Sequence, residues 1–387
     1  MRRGIRKGKM SYTCFIAIMF VLAMAARSFT ASYESAGFIS QLKYIICSLA
    51  VAVAWFKYKR IPPPKHLFYK EAKNVILMVF IIFLTSIFFI VCSGKFYSRT
   101  ILELIYLTLP IVFAYVMINT LDKEQLYSCM VASMLVFFVG YLLSLGMSFG
   151  EILNGIRTTS YRTSFSLLES SSFAAPSVGL AMYFLYNRKN RFMTFLSMLF
   201  VFMTFKRIAI LFVAVVYFLP LFWNVNKEIS KKNLRIIALI FVCASLLYFQ
   251  IMKPQNVLFL RTHYGINLYE ITMTRTYRFR LLYESGYVGA GLGSANAFMT
   301  TNFGVNLEMD LLRMIFEMGI VGLCALVFGI FSVVRTRYSL LIVGYMMMNL
   351  LMSHSLADSF GWIFTYIAVA NCQCYESNDL TLKVKIR

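Results

Sequence analysis

Apolar residues along this chain fall in long unbroken runs separated by short polar, mostly basic, punctuation. A run of roughly 20 apolar residues crosses a ~30 Å hydrocarbon core as a helix. The runs are continuous rather than alternating, which selects helices over a β-barrel. The pattern predicts twelve spans, at about 11–31, 37–56, 74–92, 101–119, 126–147, 167–187, 192–206, 207–223, 235–252, 311–333, 338–352 and 355–371. The seventh and eighth are separated only by Lys206-Arg207, and the last two are short. The predicted fold is therefore all-α and polytopic, a single transmembrane domain over 1–387. Two polar segments interrupt it, at 147–166 and 253–310. Loops that long are uncommon unless functional or disordered. The second holds aromatics, a glycine cluster and spaced arginines, so it is predicted to be ordered, with short helices lying on the membrane.

Composition agrees. Of 387 residues 60% are hydrophobic and 14% charged, against ~25% charged in a soluble domain. Mean hydropathy is +0.71. Basic residues number 38 and acidic ones 16, for a net charge of +22. Most of that excess is topological, because Lys and Arg collect in cytoplasmic loops. The twelve-span reading puts Arg2–Lys9, Lys57–Lys73, Lys123, Arg188–Arg191, Lys227–Arg235, Arg335, Arg337 and Lys383–Arg387 on the cytoplasmic side. The chain thus reads as a multi-pass protein of the bacterial inner (cytoplasmic) membrane with both termini cytoplasmic and both long loops outside. The first apolar run is followed by further spans, so it reads as a span rather than a cleaved signal. No solvated basic domain exists to bind nucleic acid. The eight cysteines lie mostly inside spans and behave as small hydrophobes, with Cys372 and Cys374 forming a CxC near the end.

Basic residues on the outer side go against the topological trend and so carry information. They are Arg157 and Arg162 in the first loop, Lys206-Arg207 in a tight turn, and Arg275, Arg278 and Arg280 in the long loop. Guanidinium groups pair with phosphate in planar, bidentate fashion. Converging at a membrane surface, they suit a lipid-linked pyrophosphate; the plainer role is anchoring to anionic lipid. At helical spacing Arg275 and Arg278 share a face that Arg280 does not. The run Gly286-Tyr-Val-Gly289-Ala-Gly291-Leu-Gly293 lacks the strand–helix setting of a dinucleotide fingerprint. It suits either a turn or close approach of backbone N–H groups to an anion. Glu308 and Asp310 stand at the entry of the tenth span. Each is a candidate proton acceptor for a sugar hydroxyl, or a charge that complements the helix dipole. Glu169 and Glu317 are predicted inside spans, where an ionisable residue is costly and defaults to a functional hypothesis. His354 and Asp358 lie at the outer end of the last two spans, the histidine reading as a satisfied hydrogen-bonding group. No Walker A, HExxH, DxD or metal-spaced Cys/His cluster is present, and no cytoplasmic loop is long enough for a sugar-nucleotide domain.

Over roughly 150–330 the arrangement resembles the O-antigen polymerase (Wzy-type) family, within a superfamily shared with O-antigen ligases. The resemblance rests on the Arg157–Arg162 loop with Glu169-Ser-Ser-Ser-Phe-Ala-Ala-Pro176, and on Lys206-Arg207 opening a span, where the family often has serine–arginine. It rests further on Gly289-Ala-Gly291-Leu-Gly293 closing a long outer loop, and on the run from Glu308 to Glu317-Met-Gly319-Ile-Val-Gly322. It implies a membrane-embedded, GT-C-like fold and a metal-independent, inverting glycosyltransferase without cofactor. Such an enzyme joins repeat units carried on undecaprenyl pyrophosphate at the outer face, with membrane lipid and a chain-length regulator protein as further partners. Relatives often have a histidine near the Glu308 position; this chain does not, which leaves Glu308 or Asp310 as base. Arg157, Arg162, Arg207, Arg275 and Arg278 would hold the pyrophosphate. A lipid-linked oligosaccharide flippase and an O-antigen ligase are the alternatives. A flippase needs a deep cationic cavity and no long outer loop, whereas a ligase differs only in acceptor. A membrane acyltransferase is disfavoured by the lack of a convincing intramembrane histidine.

Overall fold

A computed structural model describes residues 12–30, 37–158 and 168–374. Each of the twelve apolar runs is helical: α1 (Tyr12–Thr30), α2 (Gly37–Tyr58), α3 (Tyr69–Ser93), α4 (Arg99–Thr120), α5 (Lys123–Leu145), α7 (Ser171–Asn187), α8 (Arg191–Met203), α9 (Arg207–Phe218), α10 (Lys231–Ile251), α15 (Asp310–Phe331), α16 (Arg337–Met352) and α17 (Ser359–Cys374). α6 (Phe149–Thr158) lies in the first long polar segment. α11 (Pro254–Tyr264), α12 (Leu268–Ile271), α13 (Arg275–Glu284) and α14 (Ser294–Phe303) fill the second, which is ordered as the sequence predicts. Among the described residues six helices, α1, α3, α4, α5, α10 and α15, are long and apolar enough to cross a membrane. The protein is an all-α membrane protein.

Two expectations change. The runs at 192–206 and 207–223 become helices of 13 and 12 residues, each about 20 Å long at 1.5 Å per residue and short of a full crossing. Phe205, at φ +51°, breaks the chain between them. Glu169, predicted within a span, precedes α7 and is exposed, because the serine run delays the helix start to Ser171.

α17 is the axis of the bundle. Its residues Ser359 to Cys372 are all buried, and it packs chiefly on α7 and α4. α3 and α10 sit on the rim. There Leu77, Phe80, Phe88, Leu239, Ile240 and Leu247 remain exposed, as they must where lipid is the solvent. A second small core of Met252, Phe279, Leu282, Ala295, Met299, Leu307, Met309 and Leu312 fastens α13 and α14 to the end of the bundle.

α15 is broken. Gly319 has φ +64° and ψ −159°, backbone that essentially only glycine adopts. The break frees carbonyls inside the bundle, where an unpaired backbone group is costly. The glycine run answers it. Gly291 N–H donates to the Glu317 carbonyl at 3.4 Å, and a Cβ on Gly289 would stand 2.6 Å from the Phe316 carbonyl oxygen. Gly319→Ala is expected to cost about 1–3 kcal/mol, read as a lower thermal midpoint in detergent. The cause is conformational, since the nearest atom to an added Cβ is 3.8 Å away. Gly344→Ala, in an ordinary helix with open space around it, is expected to be neutral or stabilising. Equal effects at both positions would contradict this account of the break.

Candidate functional site

Among the described residues, most of the buried charge gathers where α4 and α15 meet the α11–α14 segment. Two layers result, one at the surface and one beneath it.

The surface layer comes from α13 and the segment before α15. Arg275 Nε donates to Glu308 Oε2 at 2.5 Å, and Arg278 Nη1 donates to Glu308 Oε1 at 2.8 Å. The spacing of three puts both guanidiniums on one face. Arg280 turns away to Glu284, at 2.8 Å. The three side chains of the surface triad are 22–30% exposed, so the pair is accessible from solvent. Arg278 also donates to the Asn306 carbonyl at 3.2 Å, and Arg99 Nη1 donates to the Asn306 side-chain oxygen at 3.4 Å. Met273 and Thr274, at φ +50° and +69°, hold the left-handed backbone that aims the start of α13. For a β-branched residue that conformation is strained and marks a constrained position.

Arg99 carries the network inward through Glu103, at 3.1 Å. Below lies a fully buried ionic cluster centred on Arg313. Its guanidinium meets Glu103 at 2.6 Å, Asp310 at 3.2 Å and Glu317 at 3.6 Å. Glu317 is also wrapped by the glycine turn, with Gly293 N–H donating at 2.9 Å and Ala295 N–H at 3.0 Å. The anion that the glycine run cradles is thus the protein's own carboxylate. Gly293, at φ +79°, is packed against Arg99 and Glu103. Among the described residues Arg313 Nη2 and Glu103 Oε2 have no hydrogen-bond partner.

Asp310 is enclosed. It accepts from the Ser355 and Leu356 N–H groups, each at 2.7 Å, and pairs with His354 Nδ1 at 2.8 Å. With no exposed surface it reaches no substrate directly, so the proton-acceptor role expected of it gives way to one of orienting His354. His354 is 24% exposed. Burial pushes its pKa down, but the Asp310 carboxylate and its hydrogen bond outweigh that and hold it above the usual histidine value. The bond to Asp310 is made by Nδ1, the arrangement in which a carboxylate orients a histidine that acts through its other ring nitrogen.

Of the residues singled out in the sequence, Glu308, Arg275 and Arg278 come together, and Asp310, two residues on from Glu308, is enclosed in the buried layer. Arg207 is exposed on the first turn of α9, and its neighbour Lys206 turns inward instead, its Nζ 3.4 Å from Ser353 Oγ. Arg157 is exposed on the last turn of α6. Arg162 lies outside the described residues. Arg99, Glu103 and Arg313 were not assigned from sequence; His354, read there as a satisfied hydrogen-bonding group, is hydrogen-bonded to Asp310. The rule that flagged Glu317, an ionisable residue in an apolar run, applies equally to Glu103. Among the described residues no group of three or more His, Cys, Asp or Glu could hold a metal ion.

No protein-family model and no curated protein matches this chain.

Proposed function

We propose that this chain is a polysaccharide polymerase of the bacterial inner membrane. It would act as an inverting, metal-independent glycosyltransferase that joins repeat units carried on undecaprenyl pyrophosphate. In this reading the twelve apolar helices span or enter the bilayer, both termini are cytoplasmic, and the α11–α14 end faces outward. The observation that carries the proposal is the accessible Arg275–Arg278 pair held by Glu308 at one end of an apolar bundle, together with a partly exposed histidine paired with Asp310.

The chemistry needs a base and a cationic site for the leaving group. The acceptor hydroxyl oxygen attacks the anomeric carbon of the donor glycan. His354 Nε2 takes the hydroxyl proton, and Asp310 stabilises the imidazolium that forms. The bond from the anomeric carbon to the pyrophosphate oxygen breaks, and its electron pair leaves with the pyrophosphate. Arg275 and Arg278 meet that growing charge from fixed positions, which lowers the barrier without reorganisation. Both oxygens of Glu308 are engaged by the guanidiniums, so we assign it to hold them in place until substrate phosphate competes for them. The pyrophosphate linkage is already activated, so the reaction requires no nucleotide.

Arg278→Ala in cells is expected to shorten surface polysaccharide to single repeats while the single-repeat glycan still reaches the surface. Full-length chains in that variant would contradict the proposal. Loss of even the single repeat would indicate transport rather than polymerisation.

A further inference from the structure

An apolar groove of about 310 Å³ lies between α9 and α10. α9 rests on α7 and α8, while α10 rests on α15. The two are thereby held apart, and α16 supplies the floor between them. No charged residue lines the groove. One end is closed. There Ile229 N–H donates to the Arg335 carbonyl at 2.8 Å, Arg337 N–H to that of Lys227 at 3.0 Å, and Tyr338 N–H to that of Val225 at 2.8 Å. These bonds stitch the α9–α10 linker to the α15–α16 linker beside Phe331 and Leu340, the wall residues at that end. The other end is open and cationic. Ile208 and Met348 line it and are 38% and 41% exposed. Exposed Arg207 immediately precedes Ile208. Lys206 reaches Ser353, at 3.4 Å, and Ser353 adjoins His354 in the chain. The open end therefore meets the edge of the candidate site.

This shape selects an occupant. An apolar void gives its lining no atoms to pack against, and it has no polar groups to hold water. At membrane depth the matter that fills it is a lipid tail. A groove closed at one end admits the tail only with its head at the other, where Arg207 and Lys206 favour an anionic head group. The floor is notched at Gly344, where an added Cβ would meet nothing within 4 Å. The regular methyl branches of a prenyl tail fill a notched wall more closely than a straight acyl chain does, and close filling is what apolar packing rewards. From Leu340 to Met348 the floor runs ~12 Å at 1.5 Å per residue, less than half of a ~30 Å hydrocarbon core. The groove thus takes only the isoprene units nearest the head, and the rest of a long tail lies in the bilayer.

We propose that the α9–α10 groove binds the head-proximal part of the prenyl tail of a phosphorylated lipid carrier. The groove and its cationic mouth stand on their own geometry; naming the carrier as the reacting lipid rests on the polymerase reading. A tail seated here fixes where its head emerges, beside Ser353 and His354, so that the groove sets the position of the glycan against the base. A short-tailed or tail-less pyrophosphate would reach the same cations without that alignment.

The test is native mass spectrometry of the full-length protein in detergent, titrated separately with undecaprenyl pyrophosphate, inorganic pyrophosphate and phosphatidylglycerol. The wild type is expected to hold undecaprenyl pyrophosphate in preference to phosphatidylglycerol. Gly344→Leu fills the notch, and Met348→Trp, at an exposed position, repeats that arm should Gly344→Leu fail to fold. Each should weaken undecaprenyl pyrophosphate by about tenfold or more, the loss of several buried methylene contacts, and leave inorganic pyrophosphate unchanged. Folded variants that bind undecaprenyl pyrophosphate as tightly as the wild type overturn the proposal. An equal loss of inorganic pyrophosphate binding would put the effect at the head group and overturn it too. Phosphatidylglycerol held as tightly by the wild type, and weakened equally in the variants, would give the groove to a phospholipid tail and overturn the carrier assignment. Carrier binding weakened as expected, with no linkage formed by wild-type protein from lipid-linked repeat units, would sink the polymerase reading and leave the tail site standing.

Discussion

Replacing Arg313 with Met is expected to destabilise the protein by about 3–5 kcal/mol, the cost of stranding buried charge. Arg313 is the fully buried cation that meets Glu103, Asp310 and Glu317, and neither it nor the three carboxylates has appreciable exposure. Without it those carboxylates would face one another inside the bundle. Partly exposed Arg99 would be left to pair with Glu103, and His354 with Asp310. The expected observation is loss of the monodisperse peak on detergent size-exclusion chromatography, or a large fall in thermal midpoint. Arg313→Met combined with Glu103→Gln should recover part of the loss, because the closest stranded charge is then gone. A single variant as stable as the wild type would show that the cluster carries no structural load.

The second large effect is on catalysis. His354→Ala should lower polymerisation by about 10²–10⁴-fold, the usual contribution of a positioned general base, with a smaller loss of stability than Arg313→Met because Arg313 and two backbone N–H groups still hold Asp310. The pH profile separates this role from a merely structural one. Asp310 and Glu103 raise the His354 pKa, while burial and Arg313 lower it, and the net shift is upward. A base works deprotonated, so activity should rise with pH through a midpoint above the ordinary value of about 6.5. Removing the carboxylate charge in Asp310→Asn should move that midpoint to lower pH and reduce the maximal rate. Linkage runs the other way for stability. The contribution of protonated His354 is complete below about 6.5 and is lost as pH rises through its folded value. An Asp310→Asn profile that keeps the wild-type midpoint would remove the orienting role assigned to this carboxylate.

How much of this was legible in the sequence depended on the range of the interaction. The helices were legible because each apolar run carries its own reason to be helical in lipid. The shared face of Arg275 and Arg278 was legible because a spacing of three is a local property of a helix. The start of α7 was placed too early, since hydropathy alone does not register that Ser170 is the N-cap, a position serine favours. The core of the site was hidden for a different reason. Glu103 and Arg313 are 210 residues apart, and His354 is 44 from Asp310. No periodicity links such pairs, and only the packing of α4, α15 and the α16–α17 linker at one end brings them together. His354, read from the sequence as a satisfied hydrogen-bonding group, does hydrogen-bond, but its partner Asp310 lies in a distant segment. The glycine run was legible as an anion cradle, but its anion, Glu317, belongs to the break at Gly319 and could be seen only once the two were packed.

The central claim is that guanidiniums at the α11–α14 end grip a phosphorylated lipid carrier beside a base that makes its glycan react. Its most direct test is to incubate the purified protein, in phosphatidylcholine nanodiscs without nucleotide, with undecaprenyl-pyrophosphate-linked repeat units, and to resolve the products by gel. The account predicts a ladder of lengthening glycan with one undecaprenyl pyrophosphate released per linkage, abolished in Arg278→Ala and His354→Ala. Repeat units recovered unjoined by folded wild-type protein, with no carrier released, would contradict it.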